Sequence, residues 1–422
     1  MRRTVVRVLG FALVLLVLVG AVFAAQQVKV AHYWPSGGFG KVAMDELIKT
    51  FEEKYPDIRV IEVPIEHEAF KTKIKSIITT AQTPDIFSYW AGARTQFLVD
   101  ANTLYPVDQL WRANNLDEQF PASIINAAVK YNGHYYMVPL GMHLAGFIYN
   151  KKVFEKYGLK EPKTWEEFLQ VCETLKKNGV YPLVTGAKCR WPLQFFFDYL
   201  VLRTAGPEFR EALQRGEASY TDPRVVRVME MWKELIDKGY FMPGFSAWDW
   251  DEALRYLVGG QAAMYLMGDW ALATLKQDLG AVPGKDYDWF EFPVVDPYIP
   301  KGMVGPIDGF IISAKAPNKE AAGKLFLFMA SPEGQTIFNT YKGSNPCNIN
   351  AKVERDVVQQ EEFEALQECA TFHFNYDLST PPPVAELGLD AFVEFMHNPS
   401  DYMNILEKLQ ERASKLFASE AE

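Results

Sequence analysis

The chain has 422 residues, 49% hydrophobic and 23% charged. That is globular composition, too apolar for a disordered chain, and at about 100–200 residues per domain it predicts two domains or one large one. Its 43 Lys+Arg against 53 Asp+Glu give a net charge of -10, which works against nucleic acid or anionic lipid as a partner.

Arg2, Arg3 and Arg7 precede an apolar run from Val8 to Phe23, the charged and apolar regions of an export signal. Val22-Phe23-Ala24 fits a small-residue cleavage pattern. Residues 1–24 are therefore expected to be a cleaved signal peptide, and the protein to reside in the periplasm or extracytoplasmic space. An uncleaved anchor is the alternative, although the run is short for a membrane span. Export changes how the cysteines read. Cys172, Cys189, Cys347 and Cys369 form two pairs close in sequence, and Cys172–Cys189 and Cys347–Cys369 are candidate disulfides, with free buried thiols as the alternative. They show no CxxC spacing, and with only 6 histidines scattered along the chain no metal site and no cofactor is expected.

The first hundred residues then spell βαβαβ. A β-rich segment, Val28 to Trp34, stops at Pro35-Ser36-Gly37-Gly38, which is turn chemistry. Val42, Leu47, Ile48, Phe51 and Tyr55 recur at helical spacing, and Pro56 ends that helix. Ile58 to Ile65 reads as a buried parallel strand. Phe70, Ile74, Ile77, Ile78 and Ala81 trace a second helix face, and Pro84 to Trp90 a third strand. Strands alternating with helices imply right-handed crossovers and a parallel sheet, with ligands outside the carboxyl ends of its strands. Those ends carry Trp34, Glu66-His67 and Trp90.

The middle of the chain reads as a second α/β lobe. Thr164-Trp165-Glu166-Glu167 is a capping box, Gly179 closes its helix, and Asp222-Pro223 opens another. Gly260 to Leu266 reads as a strand that runs to Gly268-Asp269-Trp270. Asn318 and Ser331-Pro332 are helix starts. Residues 351–372 and 383–418 read as mostly helical, and Pro381-Pro382-Pro383 as a rigid connection.

Several segments, in order, resemble a known family: Phe51-Glu52-Glu53-Lys54-Tyr55-Pro56; Thr83-Pro84-Asp85-Ile86; Tyr131-Asn132-Gly133-His134-Tyr135; Tyr149-Asn150-Lys151; Gly260-Gln261-Ala262-Ala263-Met264; Gly268-Asp269-Trp270; and Ser331-Pro332-Glu333-Gly334-Gln335. The chain resembles the family 1 extracellular solute-binding proteins, the maltose-binding-protein-like receptors of ABC sugar importers. The resemblance implies an α/β, two-lobed periplasmic-binding-protein-like fold of type II, with the ligand in a cleft between the lobes. It implies a discontinuous N-terminal lobe of residues 25–140 plus 292–345 and a C-terminal lobe of residues 141–291 plus 346–422. It also implies a sugar or oligosaccharide as ligand and the transmembrane subunits of an ABC permease as partner; the acidic charge argues against nucleic acid, and a monomer is expected.

A sugar presents hydroxyls at its ring edge and C–H groups on its faces, so its site needs aromatic faces with carboxylates and amides. Trp34 and Trp90 qualify by the strand-end rule, with core packing as the rival. Ser36 lies in the turn after the first strand. Trp270 is assigned to the site by the resemblance. Asp269 either caps the helix that follows or contacts ligand. Trp191, Trp248 and Trp250 lie in loop-like stretches that could line the cleft. Glu66 and His67 read as cleft or as solvated surface, His143 follows the first crossing, Asp308 is a turn residue or a ligand acceptor, and Asn345 is a turn or site residue at the third crossing. Catalysis finds little support: Glu66-His67-Glu68 lacks HExxH spacing and no GxSxG occurs. The alternatives to a sugar receptor are an exported carbohydrate-active enzyme and a receptor for a polyol or glycerol phosphodiester.

Overall fold

The computed structural model describes residues 25–35 and 38–420. The expected signal peptide and the candidate Ser36 lie outside the described residues. Strands β1 (Gln26–His32), β2 (Ile58–Pro64) and β3 (Ile86–Trp90) are connected by helices α1 (Phe39–Lys54) and α2 (His67–Ile77). The pairs β1–β2 and β1–β3 are parallel, as crossovers through helices require. Helix α1 buries Ala43, Met44, Leu47, Ile48 and Phe51 and leaves Val42 exposed, so the inner stripe lies one residue away from Val42. All five residues of β3 are buried, because it lies inside the sheet. Strand β2, expected to be buried, instead shows alternating exposure along its first half. Among the described residues it is the edge strand, with β1 as its only neighbour, and one of its faces meets water.

A hairpin of β4 (Lys130–Tyr131) and β5 (His134–Tyr135) turns through Asn132 and Gly133, both with positive φ, the Asn-Gly geometry that suits the twist of paired strands. Strand β6 (Met137–Met142) rejoins the first sheet. Strands β7 (Ala145–Asn150), β8 (Tyr181–Leu183), β9 (Ala262–Gly268) and β10 (Tyr287–Phe290) form a second sheet in the order β10-β7-β9-β8. Beyond them β11 (Gly302–Val304) precedes β12 (Ile307–Ile312) and β13 (Asn345–Pro346), which return to the first sheet, while β14 (Thr371–His373) pairs with β11. The first sheet runs β13-β6-β12-β3-β1-β2.

Two hydrophobic cores follow this division. One gathers Val28 to Leu140 and Ile307 to Cys347; the other gathers Leu144 to Val304 and Val358 to Ala413. Phe292, expected at the return to the first lobe, lies in the second core. Its ring stacks on Tyr199 at 4.9 Å and 4°, and on Phe147 and Trp165. The return comes instead at Gly305-Pro306. The third crossing also falls later than Asn345, because Cys347 belongs to the first core and the Asn348 side chain donates to Ala330 O. The first two crossings touch: His143 N donates to Pro306 O at 3.0 Å, and a Cβ on Gly305 would lie 1.9 Å from His143 O. Only glycine permits that approach.

Two further expectations are corrected. Pro382 is not part of a connection but the first residue of the helix Pro382–His397, where a missing N–H costs nothing. The four cysteines are free thiols. Cys347 is packed in the first core, whereas Cys369 packs against the second. Cys172 is inside the helix Trp165–Lys177, and Cys189 borders the space between the lobes. Among the described residues no helix is long and apolar enough to cross a membrane.

Candidate ligand-binding cleft

The lobes face each other across a cavity of about 720 Å³, within the usual range for a small-molecule site. The first lobe contributes the carboxyl ends of its parallel strands. Trp34 follows β1 and packs against Tyr33 and Phe338 at 4.7 and 5.2 Å. Its ring fills the space beside Gly40, where a Cβ would lie 2.1 Å from Trp34 Cδ1. Trp90 ends β3 and stacks on Tyr33 at 4.3 Å and 12°. Both tryptophans line the cleft but are only 8% and 6% exposed, so site and core packing are one arrangement here. Glu66 lines the cleft with its carboxylate occupied: it caps α2, accepting from Glu68 N and Ala69 N at 2.9 Å each. His67 stands edge-on to Trp90 at 5.2 Å and 6.4 Å from Trp191 of the opposite lobe.

The second lobe supplies Trp191, Phe195, Trp250 and Trp270. Trp270 is the first residue of the helix that follows β9. It is only partly buried, and its neighbours are His143 at 5.6 Å, Trp191 at 5.8 Å and Phe195 at 6.2 Å. Gly268 makes room for that ring, since a Cβ there would lie 2.0 Å from Trp270 Cζ3. Trp250 opens a helix held by a capping box of Asp249 and Glu252.

Three candidates fall outside the cleft wall. Trp248 turns onto Tyr256 at 4.3 Å and packs on the second core. Asn345 sits in β13, its Oδ1 accepting from Arg355 Nε and Nη2 at 3.3 and 3.2 Å. Asp269 makes no side-chain cap to its helix; it is hydrogen bonded to His143.

That bond belongs to a buried charge cluster where the lobes meet. The His143 ring lies 2.5 Å by Nδ1 from Asp269 Oδ1 and 3.3 Å by Nε2 from Asp308 Oδ2. Both partners are carboxylates, so only the doubly protonated imidazole donates to both. Burial opposes that charge, but Asp269, with help from Asp308 and against Lys342, holds the His143 pKa above its ordinary value. Burial likewise pushes Asp308 up, and His143 and Lys342 more than offset it, leaving the carboxyl below its usual range. Among the described residues, Asp308 Oδ1 and Asp269 Oδ2 have no hydrogen-bond partner.

Sequence reasoning did not pick out Tyr33, Gln194, Lys342, Asn375 or Asp377, all of which line the cleft. Tyr33 stood one residue from a singled-out tryptophan. Asp377 gave little local signal: Asn375 Nδ2 donates to its Oδ1 at 2.6 Å, but its other partners are distant in sequence, Arg94 Nη2 at 3.0 Å, from the helix α3 (Ala93–Asp100), and Gln194, whose Oε1 accepts from Asp377 N at 2.8 Å. Asp377 lies in the short helix Tyr376–Ser379, which sends Tyr376 into the second core and Leu378 into the first. Among the described residues no cluster of His, Cys, Asp or Glu is arranged to hold a metal ion.

Known proteins share this architecture. A sequence profile of the bacterial extracellular solute-binding proteins matches residues 40–336. An ABC transporter extracellular-binding protein of Pyrococcus horikoshii, itself uncharacterized, is 34% identical over 354 residues, which is 82% of this chain and 77% of that one. A probable sugar-binding periplasmic protein of Rhizobium meliloti is 27% identical over 338 residues, covering 78% and 77% of the two chains. Among solved structures, the solute receptor AcbH, described as preferring galactopyranose, aligns with a TM-score of 0.86 at 24% identity over 93% of this chain and 99% of its own. A chitin oligosaccharide binding protein aligns at 0.84 and 24% identity over 94% and 100%. These two likenesses show the fold.

Proposed function

The chain belongs to the bacterial extracellular solute-binding proteins, a family of receptors rather than enzymes, and from that premise we propose that it binds a neutral sugar or short oligosaccharide in the interlobe cleft and delivers it unaltered to an ABC permease. The observation that carries this reading is the meeting of aromatic rings from both lobes in one cavity: Trp34 and Trp90 from one side, Trp191, Trp250 and Trp270 from the other. Aromatic faces cover the C–H faces of a pyranose, and carboxylates and amides at the rim take its hydroxyls. Relatives named as sugar-binding periplasmic proteins support the same ligand class. A phosphodiester fits poorly. Glu66, Glu68, Asp249, Asp251, Asp278, Asp308 and Asp377 line the cavity against Lys71, Lys188 and Lys342, and the surplus of carboxylates repels an anion.

Under this proposal the apolar leader at residues 1–24 is removed on export and the mature monomer works outside the cytoplasm. Solute contact with both lobes favours the closed form, because only that form offers all the contacts at once. A thermal-shift screen across neutral mono- and oligosaccharides tests the proposal. A ligand at 100 times its Kd adds about 2.7 kcal/mol to the folded state, so the right sugar raises the midpoint in a concentration-dependent way. No shift with any neutral saccharide, together with a shift by a glycerol phosphodiester, would overturn it.

A further inference from the structure

Where the cleft reaches the crossings, buried polar groups with unused hydrogen-bonding capacity converge. Lys342, the last residue of the helix Pro332–Lys342, is 8% exposed and lines the cleft. Among the described residues its amine makes no hydrogen bond or ion pair; burial pushes its pKa below the ordinary lysine value, against the opposing pull of Asp308 and Asp269. Asp308 uses one oxygen for His143 and leaves Oδ1 unpartnered. The Tyr33 hydroxyl is fully buried and faces the Asp308 carboxylate closely enough for the two to shift each other's titration, yet it makes no hydrogen bond of ordinary geometry. Buried polar groups are normally satisfied, and each exception calls for a reason. His143 shows what a structural role looks like at this place, since it bonds to both neighbouring carboxylates.

We propose that Lys342, Asp308 and Tyr33 form a specificity-determining pocket that recognises two adjacent free hydroxyls on the terminal ring of the sugar. The proposal rests on the saccharide reading above and deepens it. The unused groups are of both kinds. Lys342 has three N–H donors and Tyr33 an O–H donor, while Asp308 Oδ1 is an acceptor. A hydroxyl that donates to Asp308 Oδ1 while its neighbour accepts from Lys342 satisfies both charged groups together. Such bonds to charged partners are the strong ones. The charge balance selects a neutral ring. The charged groups around this corner are mixed in sign, Asp308 and Asp269 against His143 and Lys342, and burial already works against the Lys342 charge, so a uronate carboxylate would bring a further charge into a space that disfavours charge. The crossing residues His143 and Pro306 line the cleft together with Asp308 and Lys342, so a ring seated against them would be a chain end.

The test is calorimetric. The tightest binder among D-glucose, D-galactose, D-xylose and their di- and trisaccharides is titrated into wild type, Lys342→Met and Tyr33→Phe, beside its monodeoxy analogues at the terminal ring. A site built to bond a hydroxyl rejects the analogue lacking it strongly. The expected result is a loss of at least about tenfold for Lys342→Met with the parent sugar. With the analogue lacking the contacted hydroxyl, wild type and variant should agree within about twofold. Tyr33→Phe, which removes a single oxygen, carries the test if Lys342→Met does not fold, and should weaken the parent sugar several-fold. Unchanged affinity in both folded variants, or deoxy analogues that all bind like the parent, would overturn this pocket while leaving the sugar reading intact. If no saccharide binds wild type, the sugar reading itself falls and takes the pocket with it.

Discussion

Gly268→Ala offers a sharp probe of the cleft wall, because it acts on a tryptophan without touching it chemically. The added Cβ would lie 2.0 Å from Trp270 Cζ3 and 2.1 Å from Cη2, whereas ordinary contact begins at 3.4 Å. The ring must therefore withdraw by about 1.4 Å or the strand must shift. His143, Trp191 and Phe195 surround that ring, so it has little free space to enter. Gly268 has no positive φ, and alanine's backbone is not strained there. The expected cost is therefore overpacking, about 1–3 kcal/mol of stability. Displacing the stacked face should remove about 0.5–1.5 kcal/mol of binding, a loss of roughly 2- to 12-fold. Calorimetry on Gly268→Ala, Trp270→Ala and the double variant separates the routes. Trp270→Ala alone should weaken binding at least about tenfold, and the double variant should be no worse, since both changes act through one ring. A folded Gly268→Ala protein that binds as wild type does would remove Trp270 from the solute's surroundings.

Three other outcomes follow from the buried charges and thiols. His143 has a raised pKa in the folded state, so its stabilising contribution is complete below the unfolded value of about 6.5 and fades as pH rises through the higher folded value. His143→Gln should flatten that decline in urea unfolding measured across neutral pH, and an equally steep decline would contradict the charge cluster. Arg94→Met leaves Asp377 buried without its cation and should cost about 3–5 kcal/mol, with partial recovery on adding Asp377→Asn; a urea midpoint equal to wild type would contradict it. Cys172 and Cys347 are buried, and desolvation pushes both thiols up, so a thiol reagent should fail to reach them in the folded protein. All four cysteines should react after unfolding without reductant, and fewer would reveal a disulfide.

The first lobe was legible because its signals are local. Turn residues, helical stripes and the rule that ligands lie at strand ends placed Trp34, Glu66 and Trp90 at the cleft. Trp270 is reached only through the family resemblance of Gly268-Asp269-Trp270; the space that Gly268 clears for its ring is visible only in the structure. What escaped depends on partners far along the chain. Strand β2 has an apolar, β-branched sequence, but its exposure is set by its place at the sheet edge. Trp248 and Trp250 share the same local pattern, yet a capping box opens a helix at Trp250 while Trp248 turns onto Tyr256. Lys342 looks like an ordinary basic residue at a helix end before Gly343. Only the return of that helix to the crossings places it beside Asp308. The lobe boundary at Phe292 failed for the same reason, since an aromatic stack with Tyr199 binds it to the second core.

The central claim is that the interlobe cleft holds a neutral saccharide and returns it unchanged. Titrating the exported, folded protein with the saccharide selected by thermal shift, in a calorimeter, and then analysing the recovered sugar by mass and NMR tests it directly. The account predicts saturable binding of one sugar per chain, weakened at least about tenfold in Trp270→Ala, with the sugar recovered intact after long incubation. Binding that survives Trp270→Ala unchanged, or a hydrolysed product, would contradict it.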